Sequence, residues 1–203
     1  MQRFILIIFF IVSLNSISAP ANILGHEPGD EDICDETPID LSTLEPEQAL
    51  LIDFDHKAQV LVFRRTTEQI SYATKAIPNG YENNYAGWWK PVLRPLDGFT
   101  AAKTTRSKKP EYFVFWPYSP INGHLLNYVS KGENDELGEE WVGGFSDSIS
   151  GAMYDITGRP LNLDLMVAND SGEYEPDLRT RVSLMIPKHE FSPDGKKFIL
   201  LCE

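Results

Sequence analysis

ALLIDFDHKAQVLVFRR, residues 49–65, holds two apolar runs, ALLIDF and AQVLVFRR, set apart by Asp55, His56 and Lys57. EYFVFW at 111–116 and KKFILL at 196–201 repeat the pattern. All are short, rich in Val, Ile, Leu and Phe, and bounded by Asp, Lys, Pro or Gly, so they read as strands covered on at least one face. Helical periodicity is scarce, and neither an internal repeat nor a low-complexity tract is present. The expected fold class is all-β, mostly antiparallel. Two acidic stretches between these runs, SKGENDELGEE at 130–140 and ANDSGEYEPD at 168–177, read as solvated loops.

The whole chain has 203 residues, 42% hydrophobic and 24% charged, which is material for one sizeable core. Its 18 basic and 30 acidic residues give a net charge of -12, so a phosphate backbone would meet the wrong field and nucleic acid is excluded as a partner. At the N-terminus, Arg3 precedes an apolar run from Phe4 to Leu14, then small polar residues and Ala19-Pro20-Ala21. That grammar marks residues 1–21 as a signal peptide or, if kept, an N-terminal membrane anchor. The chain is expected in the periplasm or at the periplasmic face of an inner membrane. Residues 22–39, with GHEPGDEDICDETP, read as an acidic extended arm, and 40–203 as the domain. Cys34 and Cys202 are the only cysteines. In an oxidising compartment they form a candidate disulfide, with two unrelated thiols as the alternative, since sequence does not show their separation.

DLSTLEPEQALLIDFDHKAQVLVFRRTTEQI, residues 40–70, resembles the opening of the Rieske iron-sulfur subunit of cytochrome bc complexes, with Arg64, Arg65 and Thr66 at that family's Arg-Arg-Thr. PEYFVFWPYSPINGH, residues 110–124, is similar to its Pro-Glu-Trp strand and first cluster loop, Cys-Thr-His-Leu-Gly-Cys, with Gly123 in register from Pro110. VGGFSDSISGAMYDITGRPLNLDL, residues 142–165, resembles the second loop, Cys-Pro-Cys-His-Gly-Ser, and its exit: Tyr154, Asp155, Gly158, Arg159 and Pro160 to Leu163 fall in place. MIPKHEFSPDGKKFIL, residues 185–200, is similar to the closing Pro-x-Tyr-Glu-Phe turn and last strand. The resemblance spans most of 40–200 in order. It implies a Rieske-type β sandwich whose cluster-binding subdomain is degenerate.

The ligands that the resemblance calls for are missing. A Rieske centre needs two thiolates on one iron and two imidazoles on the other. From Pro110 the first ligand pair falls on Ser119 and Ile121, and the first partner of the family's loop-to-loop disulfide on His124. From Tyr154 the second pair falls on Asp147 and Ser150, and the other disulfide partner on Ile149. Anchoring on Phe145 instead moves that pair to Ser146 and Ile149. Neither register supplies a thiolate or an imidazole, and Arg159 runs straight into Pro160 without the family's Gly-Pro-rich cover. No cofactor and no metal is therefore expected, and no electron-transfer activity.

Other chemistry finds little footing. His124 and Asp147 could start a zinc or copper site only if further ligands converged, and His26, His56 and His189 show no ligand spacing with His124. The chain has no Gly-x-Ser-x-Gly elbow, no His-Glu-x-x-His, no phosphate-cradling glycine loop and no cysteine beside a histidine, so no catalytic residues are assigned. Glu139 and Glu140 read as a solvated face. The expected function is a non-catalytic accessory or structural subunit of an envelope or respiratory membrane complex, held to the membrane through that partner or through an uncleaved N-terminal segment. Its docking tip is Ser119, Pro120, Ile121, Asn122, Gly123, Ser148 and Ile149, small and uncharged on an acidic protein. The alternative is a free periplasmic binding protein that uses GYENNYAGWWKP, residues 80–91, for a sugar or peptide through Tyr81, Tyr85, Trp88 and Trp89.

Overall fold

The computed structural model describes residues 36–54, 58–75, 97, 100, 103–134, 140–161, 166–168, 171–176 and 182–201. The chain divides into residues 1–31 and 32–203, and all of the described residues belong to the second unit. They build eleven strands, β1 (Ile39–Asp40), β2 (Ala49–Asp53), β3 (Gln59–Arg64), β4 (Tyr112–Phe115), β5 (Asn127–Val129), β6 (Gly144–Ser146), β7 (Met153–Asp155), β8 (Met166–Ala168), β9 (Tyr174–Pro176), β10 (His189–Phe191) and β11 (Lys197–Leu200), with one helix, α1 (Thr67–Ala73). Every pairing among them is antiparallel. The sheet orders are β1-β11-β10, β2-β3-β4, β5-β6-β7 and β8-β9.

In the middle sheet, β2-β3-β4, burial on both faces explains why β3 and β4 read as near-continuous apolar runs, while the edge strand β2 alternates exposed and half-buried residues. Side chains alternate across a strand, so a strand buried on both faces needs apolar residues at every position. Val60, Val62, Tyr112, Val114 and Trp116 point into one core with Leu41, Phe54, Met185, Phe198 and Leu200. Phe63, Phe113 and Phe115 point into the other with Phe145, Tyr154, Ile156, Leu184 and Ile186. β11 thus covers one face and β6 and β7 the other. Phe145 anchors the second core by aromatic contact, its ring centroid 4.6 Å from Phe115 and 5.6 Å, edge-on, from Phe63.

Two motif residues fix the layers. Arg65 is buried and spends its guanidinium on carbonyls: Nε and Nη2 on Ile156 O, Nη1 on Pro110 O at 3.0 Å, Nη2 also on Thr105 O at 3.1 Å. Its Cζ lies 4.9 Å from the Phe113 ring centre, a cation-π contact shielded from water. Gly158 sits at φ 76° in the turn after β7, where a Cβ would come 2.6 Å from Phe113 Cζ, so only glycine fits. The buried Asp155 carboxylate ties that turn by accepting from Thr157 N, Thr157 Oγ1 and Arg159 N.

Three details depart from the sequence reading. α1 was not foreseen, although Thr66 and Gln69 form a capping box: Gln69 N donates to Thr66 Oγ1 at 3.2 Å, and Thr66 N to Gln69 Oε1 at 2.9 Å. The stretch 168–177 is not simply a solvated loop, because β8 and β9 pair as a hairpin around a turn with Gly172 at φ 79°. Ile39, assigned to the arm, already pairs with Phe198 in β1. Among the described residues no helix is long and apolar enough to cross a membrane; residues 1–21 lie outside them.

Candidate functional site

Two loops meet at one end of the β5-β6-β7 sheet, residues 117–126 between β4 and β5 and residues 147–152 between β6 and β7. Both close with the same backbone pattern. In the first, Ser119 N donates to His124 O and Gly123 N to Ser119 O, each at 2.8 Å. In the second, Asp147 N donates to Ala152 O at 2.8 Å and Gly151 N to Asp147 O at 2.9 Å. Each closure turns on a glycine with positive φ four residues after its first residue, Gly123 at 78° after Ser119 and Gly151 at 74° after Asp147. Ser119 therefore corresponds to Asp147, Ile121 to Ile149 and Asn122 to Ser150.

Asp147 joins the loops. It is almost fully buried, and its carboxylate accepts from Asn122 Nδ2 at 2.7 Å, Ile149 N at 3.0 Å, Ser150 Oγ and the Ser119 hydroxyl. Burial pushes its pKa up, but these donors together pull it below the ordinary carboxylate value. Ser119, also buried, accepts from Ile121 N at 3.3 Å, and Ser150 Oγ accepts from Ala152 N at 3.3 Å. The side chains of Ser119, Asp147, Ser150 and Asn122 form one hydrogen-bonded cluster spanning both loops.

Of the positions singled out in the sequence, Ser119, Asp147 and Ser150 come together, while Ile121 turns into the core with Phe63, Phe113 and Phe145 at 7% exposure. Asp147 and Ser150, rather than Ser146 and Ile149, are the inward pair, because Ser146 is the last residue of β6, opposite Met153, and Ile149 is exposed. His124 is exposed, and its N–H donates to Asn122 Oδ1 at 3.0 Å. Among the described residues no three His, Cys, Asp or Glu side chains gather in a metal-binding group.

The residues of the tip expected from sequence differ in exposure. Ser119, Pro120 and Ile121 are buried and offer little contact surface. Asn122 and Gly123 are half-buried, and Ser148 and Ile149 are exposed. Leu125, absent from the sequence-based set, is 51% exposed and Ile149 67%, two of the four large apolar side chains standing out among the described residues. The Leu125-Leu126 pair carried the missed signal: with period-two alternation one of two adjacent leucines faces outward, and here Leu126 takes the core. Apart from buried Asp147, residues 117–126 and 147–152 contain no Asp, Glu, Lys or Arg. Cys34, Cys202 and the aromatic segment 80–91 lie outside the described residues.

This donor set does not fit a [2Fe-2S] cluster. Hydroxyl and carboxylate oxygens are hard donors where sulfide-bridged iron takes thiolate or imidazole, and the Asp147 oxygens are already engaged by protein donors. No family model matches the chain, and no curated protein is significantly similar to it.

Proposed function

We propose that the chain is a cluster-less, Rieske-like accessory or structural subunit of an exported membrane complex, acting by protein docking rather than catalysis. The observation that carries this reading is the Ser119, Asp147, Ser150 and Asn122 network, which includes three of the four positions where the resemblance sets cluster ligands, Ser119, Asp147 and Ser150, and binds the two loops to each other. The loops' matched closure supports it further. Gly123 and Gly151 stand at the glycine of Cys-Thr-His-Leu-Gly-Cys and of Cys-Pro-Cys-His-Gly-Ser, in the registers counted from Pro110 and Tyr154. A scaffold that keeps such loops while replacing their ligands retains a shape to present.

The presented surface is Leu125 and Ile149, uncharged and apolar on a chain of net charge -12, which suits burial against a partner because few charges need desolvation there. The test is extraction of native membranes in mild detergent. The wild type is expected to migrate with a larger envelope complex, and Leu125→Asp with Ile149→Asp to release it. Both side chains are exposed, so the double variant keeps the fold and places two carboxylates at the contact. A wild type that runs as a free monomer, or a double variant that stays bound, overturns the reading.

A further inference from the structure

A second surface lies on β2. It ends the β2-β3-β4 sheet and, at five residues, is the longest edge strand among the described residues. Its ladder to β3 fixes which backbone groups remain open. Arg64 N donates to Gln48 O and Phe54 N to Ala58 O, each at 2.9 Å, so residues 48 and 54 bond toward β3. Antiparallel bonding alternates, which turns Leu50 and Ile52 inward as well and leaves the N–H and C=O of Ala49, Leu51 and Asp53 aimed away from the sheet.

Natural edges are usually blunted by lysine, proline, a bulge or a covering element. ALLID itself has no lysine, proline or bulge; the bulge lies just before it, where Glu47, at φ 64°, donates its N–H to Arg64 O at 2.7 Å while Arg64 N donates to Gln48 O. Ala49, Leu51 and Asp53 are exposed, Leu51 by 43%, so their side chains are not under another element. The strand's charge selects what can pair there. Asp53 on the strand and Glu45 and Glu47 just before it are exposed, and residues 44–54 hold no lysine or arginine.

We propose that β2 is a strand-addition site for an extended partner segment with apolar residues at alternate positions and lysine or arginine at its flanks. Main-chain bonds to Ala49, Leu51 and Asp53 give such pairing its affinity, Leu51 gives it an apolar contact, and the carboxylates set its charge preference. A second copy of the chain is the poorer occupant. Each copy carries a net charge of -12, so pairing β2 with itself brings two acidic chains together. The site is independent of the tip.

Hydrogen exchange on the full chain, with and without a synthetic peptide, tests the proposal. The probe is acetyl-Lys-Thr-Val-Thr-Val-Thr-Lys-amide at millimolar concentration, with the same peptide carrying glutamate in place of both lysines as the control. The free chain is expected to exchange the amides of Ala49, Leu51 and Asp53 fast and those of Leu50 and Ile52 slowly. The lysine peptide slows the first three by roughly tenfold or more, and the glutamate peptide does not. Leu51→Pro removes an outward donor without taking a bond from β3 and abolishes the protection. Leu51→Lys, which keeps the N–H, guards against a proline variant that fails to fold; it weakens the lysine peptide by charge. Slow exchange of the three amides in the free chain, the same protection arising from a concentration-dependent dimer, equal protection by both peptides, or protection that survives both substitutions overturns the proposal.

Discussion

Asn122 Nδ2 donates to Asp147 Oδ2 across 2.7 Å, and this bond crosses from one tip loop to the other. Asp147 gathers its remaining donors from Ile149 and Ser150 on its own loop and Ser119 on the facing one, so a single carboxylate organises the tip. Burying such a charge is tolerable because each donor offsets part of its lost hydration.

Asp147→Ala strips that acceptor from Ser119, Ser150 and Asn122 together. A loss of about 1–3 kcal/mol is expected in urea unfolding, since buried donors left without a partner cost more than the net value of the bonds they made. Asp147→Asn, which keeps an acceptor oxygen, is expected to lose less. The carboxylate's folded pKa is depressed, so its contribution is full above the ordinary value of 3.8 and disappears as pH falls through the lower folded value. Between pH 5 and 7 the gap between wild type and Asp147→Ala should therefore be constant, and a gap that closes within that range would count against the network.

The strands were legible because their pattern is local. β2, β3, β4 and β11 each lie inside a run that the apolar alternation or continuity marks, and both faces of β3 and β4 are buried as such runs require. Gly158, Arg65 and Asp155 were legible as motif members, and their buried bonds explain why those types stand there. The tip was only partly legible. Whether Ile121 or Leu125 faces water depends on how the first loop folds back on Ser119, a non-local matter that composition does not encode. β8 and β9 were obscured by the acidic residues that surround them.

The protein is expected to be colourless. Purified under conditions that preserve iron-sulfur centres, the native chain should show no visible charge-transfer absorption and no stoichiometric iron or acid-labile sulfide, because neither loop offers a thiolate or a pair of imidazoles. Sulfide and iron found in a fixed ratio to protein would sink the proposed function together with the donor argument.

The two cysteines are predicted to be bonded to each other. They are the chain's only cysteines, and an oxidising compartment favours a bond between them. Such a bridge closes a loop of more than 100 residues, worth about 4–5 kcal/mol in the chain-entropy account before strain. Intact mass after alkylation without reductant reads the outcome: two added alkyl groups mean free thiols and no bridge.

The last prediction concerns acid. His189 is buried between Phe191 and Phe198, with ring centroids 5.5 Å and 5.6 Å away, and its Nε2 meets no hydrogen-bond partner. Nδ1–H donates to Pro187 O at 2.8 Å, which fixes the neutral tautomer because a carbonyl only accepts. Desolvation is the main force that holds the imidazole neutral, lowering its pKa to about 4; the Pro187 carbonyl opposes it, and nearby Lys108 adds to it more than Asp97 removes. In the unfolded chain the same ring takes a proton near 6.5, so between pH 6.5 and 4 unfolding binds a proton that the folded state refuses. Stability attributable to this group is complete above 6.5 and declines as pH falls toward 4, by about 3 kcal/mol over the window. His189→Phe keeps an aromatic ring beside Phe191 and Phe198 and removes the titration. Its urea midpoint is expected to fall less than the wild type's between pH 7 and pH 4.5, even if the lost bond to Pro187 lowers both values. Parallel curves for the two proteins would show that His189 is not the source of acid sensitivity. That window lies above the range in which Asp147 titrates, so the packing around His189 is expected to lose stability at a milder pH than the tip network.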